Sequence, residues 1–163
     1  MNDTELRYMC NKYLIYNPLT GVIIYRISRG RWKAGSMAGT IGSTGYRTIR
    51  IDCTNYRSHR VGFLMHHGHL PKMIDHINGD KLDNRINNLR ECTASQNMRN
   101  REGWGASKFA GVSWFKRDCK WKSQIRMGNK RIHLGYFDSE GDAATAYVDA
   151  AKRFGLIEYI RRS

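Results

Sequence analysis

The sequence lacks the long apolar segments that membrane-spanning proteins need. No run of about 18 apolar residues occurs in its 163 positions. The N-terminus does not follow the basic and then apolar order of a secretory signal. We therefore expect no membrane contact, and we expect the protein to stay in the compartment where it is made, the cytoplasm.

Paired cysteines are also lacking. The four cysteines lie far apart, and none belongs to a Cys-x-x-Cys pair: Cys10, Cys53, Cys92 and Cys119. Zinc sites and disulfide frameworks need closer or patterned spacing. We interpret all four as free thiols in a reducing cytosol.

Acidic residues are scarce, most of all in the first third of the chain. Lys and Arg together number 28 against 14 for Asp and Glu, and the sequence pI is near 10.0. No acidic residue lies between Glu5 and Asp52, so nothing there cancels the field of the basic side chains. Such a surplus favours a polyanionic partner, most often nucleic acid. The alternative is a basic protein without such a partner.

The pattern of apolar and turn-forming residues predicts an α+β protein. Its parts, in chain order, are a basic and β-rich N-terminal segment (1–57), a segment with two short strands between helices (58–100), a linker (101–108), and a three-stranded antiparallel sheet packed on one helix (109–163). In the first part, residues 45–52 alternate with period two, which places Arg47 and Arg50 on opposite faces of a strand. Either arginine could face solvent or a phosphate backbone, and we predict DNA contacts at both.

Local signals place the elements of the later parts. A helix is predicted over Ser58 to His67, a strand near residues 74–77, and a second strand or turn near residues 89–92. Thr93 begins another helix with a capping-box pattern. In the last part, three strands lie between residues 111 and 136. Ser139 begins the final helix, with Asp142 as its capping-box partner, Gly155 as its stop, and an apolar face: Ala143, Ala144, Tyr147, Ala151 and Phe154.

The residues between Asp75 and Asn97 carry the densest chemistry. Hydrolysis of a phosphodiester needs a base to activate water and a cation to neutralise the leaving oxygen. His76 can be the base because its pKa lies near working pH, and Asp75 is a hard oxygen ligand suited to Mg²⁺. Neighbouring side chains of a strand point to opposite faces, so the strand must end and bend at this point, as Asn78-Gly79 allows.

The string from Ile74 reads Ile-Asp-His-Ile-Asn-Gly-Asp-Lys-Leu-Asp-Asn-Arg-Ile-Asn-Asn-Leu-Arg and continues to Ala-Ser-Gln-Asn-Met. It resembles the His-Asn-His homing endonucleases with a ββα-metal fold, particularly freestanding phage enzymes, whose setting would be the cytosol of a bacterial host. The resemblance implies that His76 is the general base and that Asp75 and Asn97 are metal ligands. It also implies that Asn88 braces the loop and so orients the base. An Asn ligand favours Mg²⁺ or Mn²⁺ over a softer metal, and the family pattern gives 5′-phosphate and 3′-hydroxyl ends.

Other polar residues of this region have simpler interpretations. Three are expected only to hydrogen-bond within the loop: Asp83, Asn84 and Asn87. His59 lies where relatives often carry His, and we expect a packing or hydrogen-bonding role for it. Three clustered histidines are expected at the surface rather than at a metal: His66, His67 and His69.

The last part of the chain resembles the APETALA2-type DNA-binding domain. The matching residues are Gly111-Val112, Trp121, Gln124-Ile125-Arg126, Arg131 to Asp138, Ala143-Ala144 and Ala146-Tyr147. This resemblance implies DNA contacts at Arg126, Arg131 and His133. The parity of the second strand independently places Lys122, Gln124 and Arg126 on the face away from the helix, where a groove could be read.

The first strand of this sheet departs from the plant pattern. Ala110, Ser113 and Phe115 stand at positions that often hold Arg there, so the plant pattern does not imply base readout through this strand. Lys116 and Arg117 could supply phosphate contacts instead.

These patterns favour a metal-dependent DNA endonuclease of homing type that acts on double-stranded DNA. The C-terminal sheet and the basic N-terminal strands would hold the duplex. A single site per chain makes a monomer nick one strand, whereas a homodimer could cut both; no other protein partner is implied. The alternatives are a non-catalytic DNA-binding regulator with a degenerate nuclease fold and an RNA-binding module, although no aromatic-rich RNA-recognition strand is present.

Overall fold

The computed structural model describes residues 2–100 and 107–160, so most of the expected linker lies outside the described residues. The chain divides into two compact units, Met1–Cys92 and Thr93–Ser163, called here the N-terminal and C-terminal units. Both combine helices with short antiparallel sheets, which confirms the α+β class. None of the helices in the described ranges is long and apolar enough to cross a membrane.

The N-terminal unit is built from short elements. In chain order they are α1 (Asp3–Tyr13), β1 (Leu14–Tyr16), β2 (Ile23–Tyr25), β3 (Thr40–Ile41), β4 (Arg47–Ile51), β5 (Thr54–Arg57), α2 (Ser58–His67), β6 (Ile74–His76), a 3₁₀ helix (Ile86–Asn88) and β7 (Leu89–Glu91). β1 pairs with β2, β4 lies between β3 and β5, and β6 pairs with β7, all antiparallel. The predicted bounds of α2 are confirmed.

Helix α1 was not expected in the N-terminal segment, which the sequence pattern described as β-rich. The Asn2 side chain accepts a hydrogen bond from the Glu5 amide at 2.9 Å, and the Glu5 carboxylate accepts one from the Asn2 amide at 3.1 Å. This reciprocal cap satisfies two amide groups that the first turn leaves unpaired. Leu6 and Cys10, one turn apart, are buried. Burial raises the pKa of the Cys10 thiol to about 11.

The core of the N-terminal unit joins the first 57 residues to helix α2. Its fully buried members come from both parts of the sequence: Leu6, Cys10, Leu14, Ile23, Tyr25, Ala38, Ile49, Ile51, Val61 and Leu64. On β4, Ile49 and Ile51 are buried and Arg50 is exposed, as the period-two pattern predicts. Arg47 is half-buried, and its guanidinium donates to the Gly39 carbonyl at 2.9 Å.

The C-terminal unit contains α3 (Ala94–Arg99), β8 (Val112–Phe115), β9 (Lys120–Met127), β10 (Lys130–Phe137), α4 (Glu140–Arg153) and a short 3₁₀ helix (Ile157–Tyr159). β9 is the central strand of an antiparallel sheet in the order β10-β9-β8. Helix α4 packs on one face of the sheet, around buried Ile125, Tyr147 and Ala151. Gly111 allows a close approach, since a Cβ atom there would lie 2.3 Å from the Tyr147 ring.

Two details of α4 differ from expectation. Ser139 accepts a hydrogen bond from the Asp142 amide at 3.0 Å, but the described hydrogen bonds include no return bond from Asp142, so the cap is one-sided. Phe154, expected on the apolar face, is 39% exposed because the helix ends there, and Ala150 is buried instead. The predicted strands and the stop near Gly155 are confirmed.

Candidate active site

His76 lies where β6 ends in a turn. The hairpin register sets Asp75 opposite Arg90 and His76 opposite Leu89. The Gly79 amide donates to the His76 carbonyl at 2.9 Å, and Gly79 has φ of 75°, a conformation that favours glycine. The strand therefore ends and bends where the paired Asp and His require it.

The His76 imidazole is buried. Its Nε2 atom lies 3.1 Å from Asn84 Oδ1, and the residue is 4% exposed. Burial lowers the pKa of His76, although the Asn84 hydrogen bond and the carboxylates of Asp75, Asp80 and Asp83 oppose that shift. A neutral imidazole is the form that can accept a proton from water.

His59 fills the space beside His76. Its ring meets the His76 ring edge-on at 4.9 Å between centroids, and Tyr46 lies 5.3 Å away. Burial, followed by the charges of His76, Arg57 and Arg60, lowers the pKa of His59 to about 3. Its position agrees with the expected packing role.

The Asp75 carboxylate is buried together with a counter-charge. Arg90 donates from Nη2 and Nε to Asp75 Oδ2 at 2.9 and 3.2 Å, and the two side chains are 17% and 7% exposed for Arg90 and Asp75. A buried carboxylate without such a partner would be strongly destabilising. The Arg90 guanidinium is therefore the partner that this buried carboxylate needs.

Asn88 ties the loop between β6 and β7 together. Its Oδ1 atom accepts from the Asn78 amide at 3.0 Å, while its Nδ2 group donates to Asn78 Oδ1 at 3.0 Å and to the Asp83 carbonyl at 2.8 Å. The Ile77 amide also donates to the Asn88 carbonyl at 2.9 Å. These bonds fix the loop that carries His76 at its start, and the role of Asn88 in orienting the base stays a prediction.

Asn97 lies on α3, which belongs to the C-terminal unit. Thr93 caps this helix, and the reciprocal bonds between Thr93 and Gln96 confirm the predicted capping box. Asn97 itself is half-buried. Its role as a metal ligand stays a prediction.

The predicted metal ligands, Asp75 and Asn97, are both oxygen donors. Among residues 2–100 and 107–160, no cluster of three His, Cys, Asp or Glu side chains is arranged to hold an ion. Mg²⁺ does not require one, because it commonly binds one or two carboxylates and keeps water and substrate phosphate as its other ligands. The Asp75 carboxylate is a ligand of that kind.

Three residues beside His76 were not singled out by the sequence. The Tyr46 ring lies 6.1 Å from the His76 ring, with the Arg57 guanidinium 4.3 Å and the Lys81 ammonium 5.1 Å from its centroid. Both cations are exposed. Nothing in their spacing separates them from other basic residues, because only the fold brings them to this edge of the site.

The three clustered histidines lie at the surface, as expected. His66, His67 and His69 are exposed. His69 Nε2 lies 2.6 Å from Glu91 Oε1, and this hydrogen bond raises the pKa of His69. Burial and the neighbouring histidines lower the pKa of His67.

The sheet of the C-terminal unit turns its predicted DNA-contacting side chains away from α4. The register sets Arg126 opposite Arg131, Gln124 opposite His133, and Lys122 opposite Tyr136. Ser123 and Ile125, which alternate with them on β9, are buried. Lys116 and Arg117 are exposed in the β8–β9 turn, where Arg117 pairs with Asp118 at 2.8 Å.

Comparison with known proteins gives one family match and three partial relatives. Residues 56–99 match a family model described as HNH endonuclease. Over 53 residues the chain is 38% identical to the AP2-like ethylene-responsive transcription factor TOE2 of Arabidopsis thaliana and to APETALA2-like protein 2 of Oryza sativa subsp. indica. The match covers 32% of this chain and spans 11% and 12% of those relatives, about a tenth of their length.

No solved structure matches the chain. The HNH match contains β6, β7 and α3, and with them the residues predicted as base, brace and metal ligands. The segment from residue 56 to residue 99 is therefore similar to HNH endonucleases, which supports nuclease activity.

Proposed function

We propose that the protein is a metal-dependent endonuclease of homing type that hydrolyses a phosphodiester bond in double-stranded DNA. The observation that carries this proposal is a buried His76 beside an Asp75 that pairs with Arg90, at a strand end inside the segment that matches the HNH family. The net formal charge of +14 suits a polyanionic substrate.

In this proposal His76 takes a proton from the attacking water. The water oxygen then forms the new bond to phosphorus, the bond from phosphorus to the 3′-oxygen breaks, and solvent supplies a proton to that oxygen. Asn88 keeps the loop rigid, so that the imidazole stays in line with the scissile phosphate. Asp75 and Asn97 would hold Mg²⁺ or Mn²⁺, which neutralises charge on the leaving oxygen when bound.

DNA would be held at two places. Arg57 and Lys81 lie against the Tyr46 ring, which is next to His76, and would contact phosphates that flank the scissile one. The outward face of the C-terminal sheet would be the second DNA contact, and the name of the Arabidopsis relative, a transcription factor, supports DNA binding by this chain. Tethering a weak catalytic site to a separate grip raises its local concentration at the target.

A plasmid-nicking assay tests the proposal. With Mg²⁺ the wild-type protein should convert supercoiled plasmid to the relaxed form, EDTA should stop the reaction, and His76→Ala should lose it. Mapping both strands of a target-bearing duplex then separates nicking from double-strand cleavage. If wild-type protein binds DNA but leaves it intact with either metal, the rival function, a non-catalytic DNA-binding regulator, is the better description.

A further inference from the structure

Asn84 contacts the reactive ring of His76 directly. It lies in the polar loop after β6, yet it is only 4% exposed, whereas its neighbour Asn87 is exposed. Its Oδ1 atom lies 3.1 Å from His76 Nε2. The sequence suggests only a local loop role for Asn84, but this contact reaches across eight residues to the proposed base.

Tyr16 fixes the backbone of Asn84 from the other side. Its hydroxyl donates to the Asn84 carbonyl at 2.8 Å, and the Asn84 amide donates to the Leu82 carbonyl at 3.1 Å. Burial, with a smaller contribution from Asp83, raises the pKa of Tyr16 to about 12, so the phenol remains a donor at neutral pH. The main chain of Asn84 is thus held at both its N–H and its C=O.

The β1–β2 hairpin packs closely against the backbone of Asn84 and Arg85. At Gly21, in its turn, a Cβ atom would lie 2.5 Å from both the Arg85 nitrogen and the Asn84 carbonyl carbon. The Ile86 amide donates to the Pro18 carbonyl at 2.9 Å. Contact this close leaves the backbone little room to shift without moving the hairpin.

A neutral imidazole carries one ring proton, and the hydrogen bond at one nitrogen decides where that proton sits. A carbonyl oxygen at 3.1 Å from Nε2 favours the proton on Nε2, because the other tautomer would set two acceptors against each other. The lone pair then lies on Nδ1. A histidine that serves as a base needs its lone pair on the nitrogen that faces the water.

We propose that Asn84 is a positioning residue that holds His76 in the Nε2-protonated tautomer, with Nδ1 as the nitrogen that takes the proton, and that Tyr16 holds Asn84 in place. The catalytic part of this proposal rests on the proposed nuclease function. The tautomer itself does not, since it is a property of the free protein.

Nitrogen-15 NMR of the metal-free 163-residue chain with labelled histidine reads the tautomer without any cleavage. The His76 ring, assigned by its loss in His76→Ala, should show its proton on Nε2. Asn84→Asp keeps an acceptor at this position and should keep that tautomer. Asn84→Ala removes the acceptor and should give a mixture of the two forms, whereas Asn87→Ala, a matched exposed control, should leave the ring signals unchanged.

The proposal is overturned if His76 in the wild-type protein carries its proton on Nδ1, or if a folded Asn84→Ala variant keeps the wild-type tautomer. Should Asn84→Ala fail to fold, the wild-type and Asn84→Asp spectra decide. A switch to the Nδ1-protonated form in Asn84→Asp would also contradict it.

Kinetics adds a separate readout. Loss of a group that orients a metal-ligating histidine typically costs about 10- to 100-fold, and we expect a similar cost for a histidine base. We expect kcat for nicking to fall by that factor in Asn84→Ala with KM little changed, and Asn84→Asp to restore most of it. Tyr16→Phe should give a smaller loss in the same direction. If the protein proves not to cut DNA but His76 is Nε2-protonated, the positioning role stands and the nuclease proposal alone fails.

Discussion

The interiors of the two units differ in polarity. Around His76 the N-terminal unit buries a group of polar side chains: Ser58, His59, Asp75, Asn84 and Asn88. Between its sheet and α4 the C-terminal unit buries mostly apolar groups, such as Ile125 and Ala151, and leaves its basic side chains on the outer face. Polar side chains are therefore concentrated in the interior of the N-terminal unit, whereas in the C-terminal unit the basic side chains lie at the surface.

This difference predicts how each unit tolerates substitution. A buried polar group costs stability unless its partners are in place, so changes near His76 should affect folding and chemistry together. On a two-faced sheet the inward residues hold the fold and the outward residues are available to a ligand. Outward substitutions in the C-terminal unit should therefore change binding and leave stability almost unaltered.

The largest expected effect is that of His76→Ala in the N-terminal unit. Removal of a general base typically slows a reaction by about 10²- to 10⁴-fold. We expect nicking with Mg²⁺ to fall within that range while DNA affinity, measured by fluorescence anisotropy, stays near the wild-type value. His66→Ala, which removes an exposed histidine of the same unit, should keep full activity. Equal nicking rates in the two variants would contradict the assignment of the base.

The next effect concerns the outer face of the C-terminal sheet. Arg126 and Arg131 lie opposite each other on neighbouring strands. Replacing both with Ala should weaken DNA binding by about 1–3 kcal/mol for each arginine that pairs with a base. For each arginine that pairs with a phosphate instead, the salt slope of binding should fall by about 0.9. Anisotropy titrations at several salt concentrations measure both quantities.

A matched control lies on α4. Lys152 and Arg153 are exposed on the helix that covers the other face of the sheet. The double variant Lys152→Ala/Arg153→Ala removes the same charge, so a general loss of basic character would weaken binding equally in both proteins. Only a larger effect at Arg126 and Arg131 identifies the outer face as the grip.

A smaller effect is expected in the acid stability of the N-terminal unit. His59 faces His76, Arg57, Arg60 and the Tyr46 ring, and burial lowers its folded pKa from 6.5 to about 3. The unfolded chain therefore binds a proton that the folded chain excludes. This contribution is fully present above pH 6.5 and is lost as the pH falls towards 3, by up to about 1.4 kcal/mol per pH unit.

Urea unfolding at several pH values tests this expectation. His59→Asn should flatten the fall of the unfolding free energy below pH 6.5, whatever its effect at neutral pH. His133→Ala, which removes an exposed histidine of the C-terminal unit, should keep the wild-type slope. An unaltered slope in His59→Asn would show that the acid sensitivity comes from other groups.

The smallest effect compares one buried serine from each unit. The Oγ atoms of Ser58 and Ser123 have no hydrogen-bond partner among the described residues. Replacing Ser123 with Ala removes a buried polar group and should raise the unfolding free energy by about 1 kcal/mol. Ser58 lines a cavity of about 120 Å³, large enough for water, so Ser58→Ala should gain less. A larger gain at Ser58, measured by urea titration, would reverse this ranking.

Local patterns in the sequence predicted most of the elements. The bounds of α2, the Thr93 cap and the alternation on β9 follow from side-chain periodicity and capping, which depend on neighbours in the chain. Helix α1 carries the same kind of signal at Asn2 and Glu5, but its few apolar positions are weaker than the strand-like pattern of the residues that follow. The capping box at Asn2 and Glu5 could have been predicted from the sequence.

The surroundings of His76 could not be predicted in the same way. Asn84 and Asn87 are the same residue type in the same loop, yet only Asn84 is buried. Its partner Tyr16 lies 68 residues away along the chain. The Asp75–Arg90 pair was easier to predict, because the correct register of the β6–β7 hairpin sets the two residues opposite each other. Spacing along the chain does not reveal contacts that depend on how separate elements pack.

The close approach at Gly21 limits how this protein can be engineered. A graft of the segment matching the HNH family onto another scaffold would leave behind the hairpin turn that lies against Asn84 and Arg85. Even a methyl group at position 21 would push on that backbone from a site with φ of 74°, where an added side chain is already strained. A transferable nuclease module must therefore include the β1–β2 hairpin or another segment that packs against Asn84 and Arg85 in the same way.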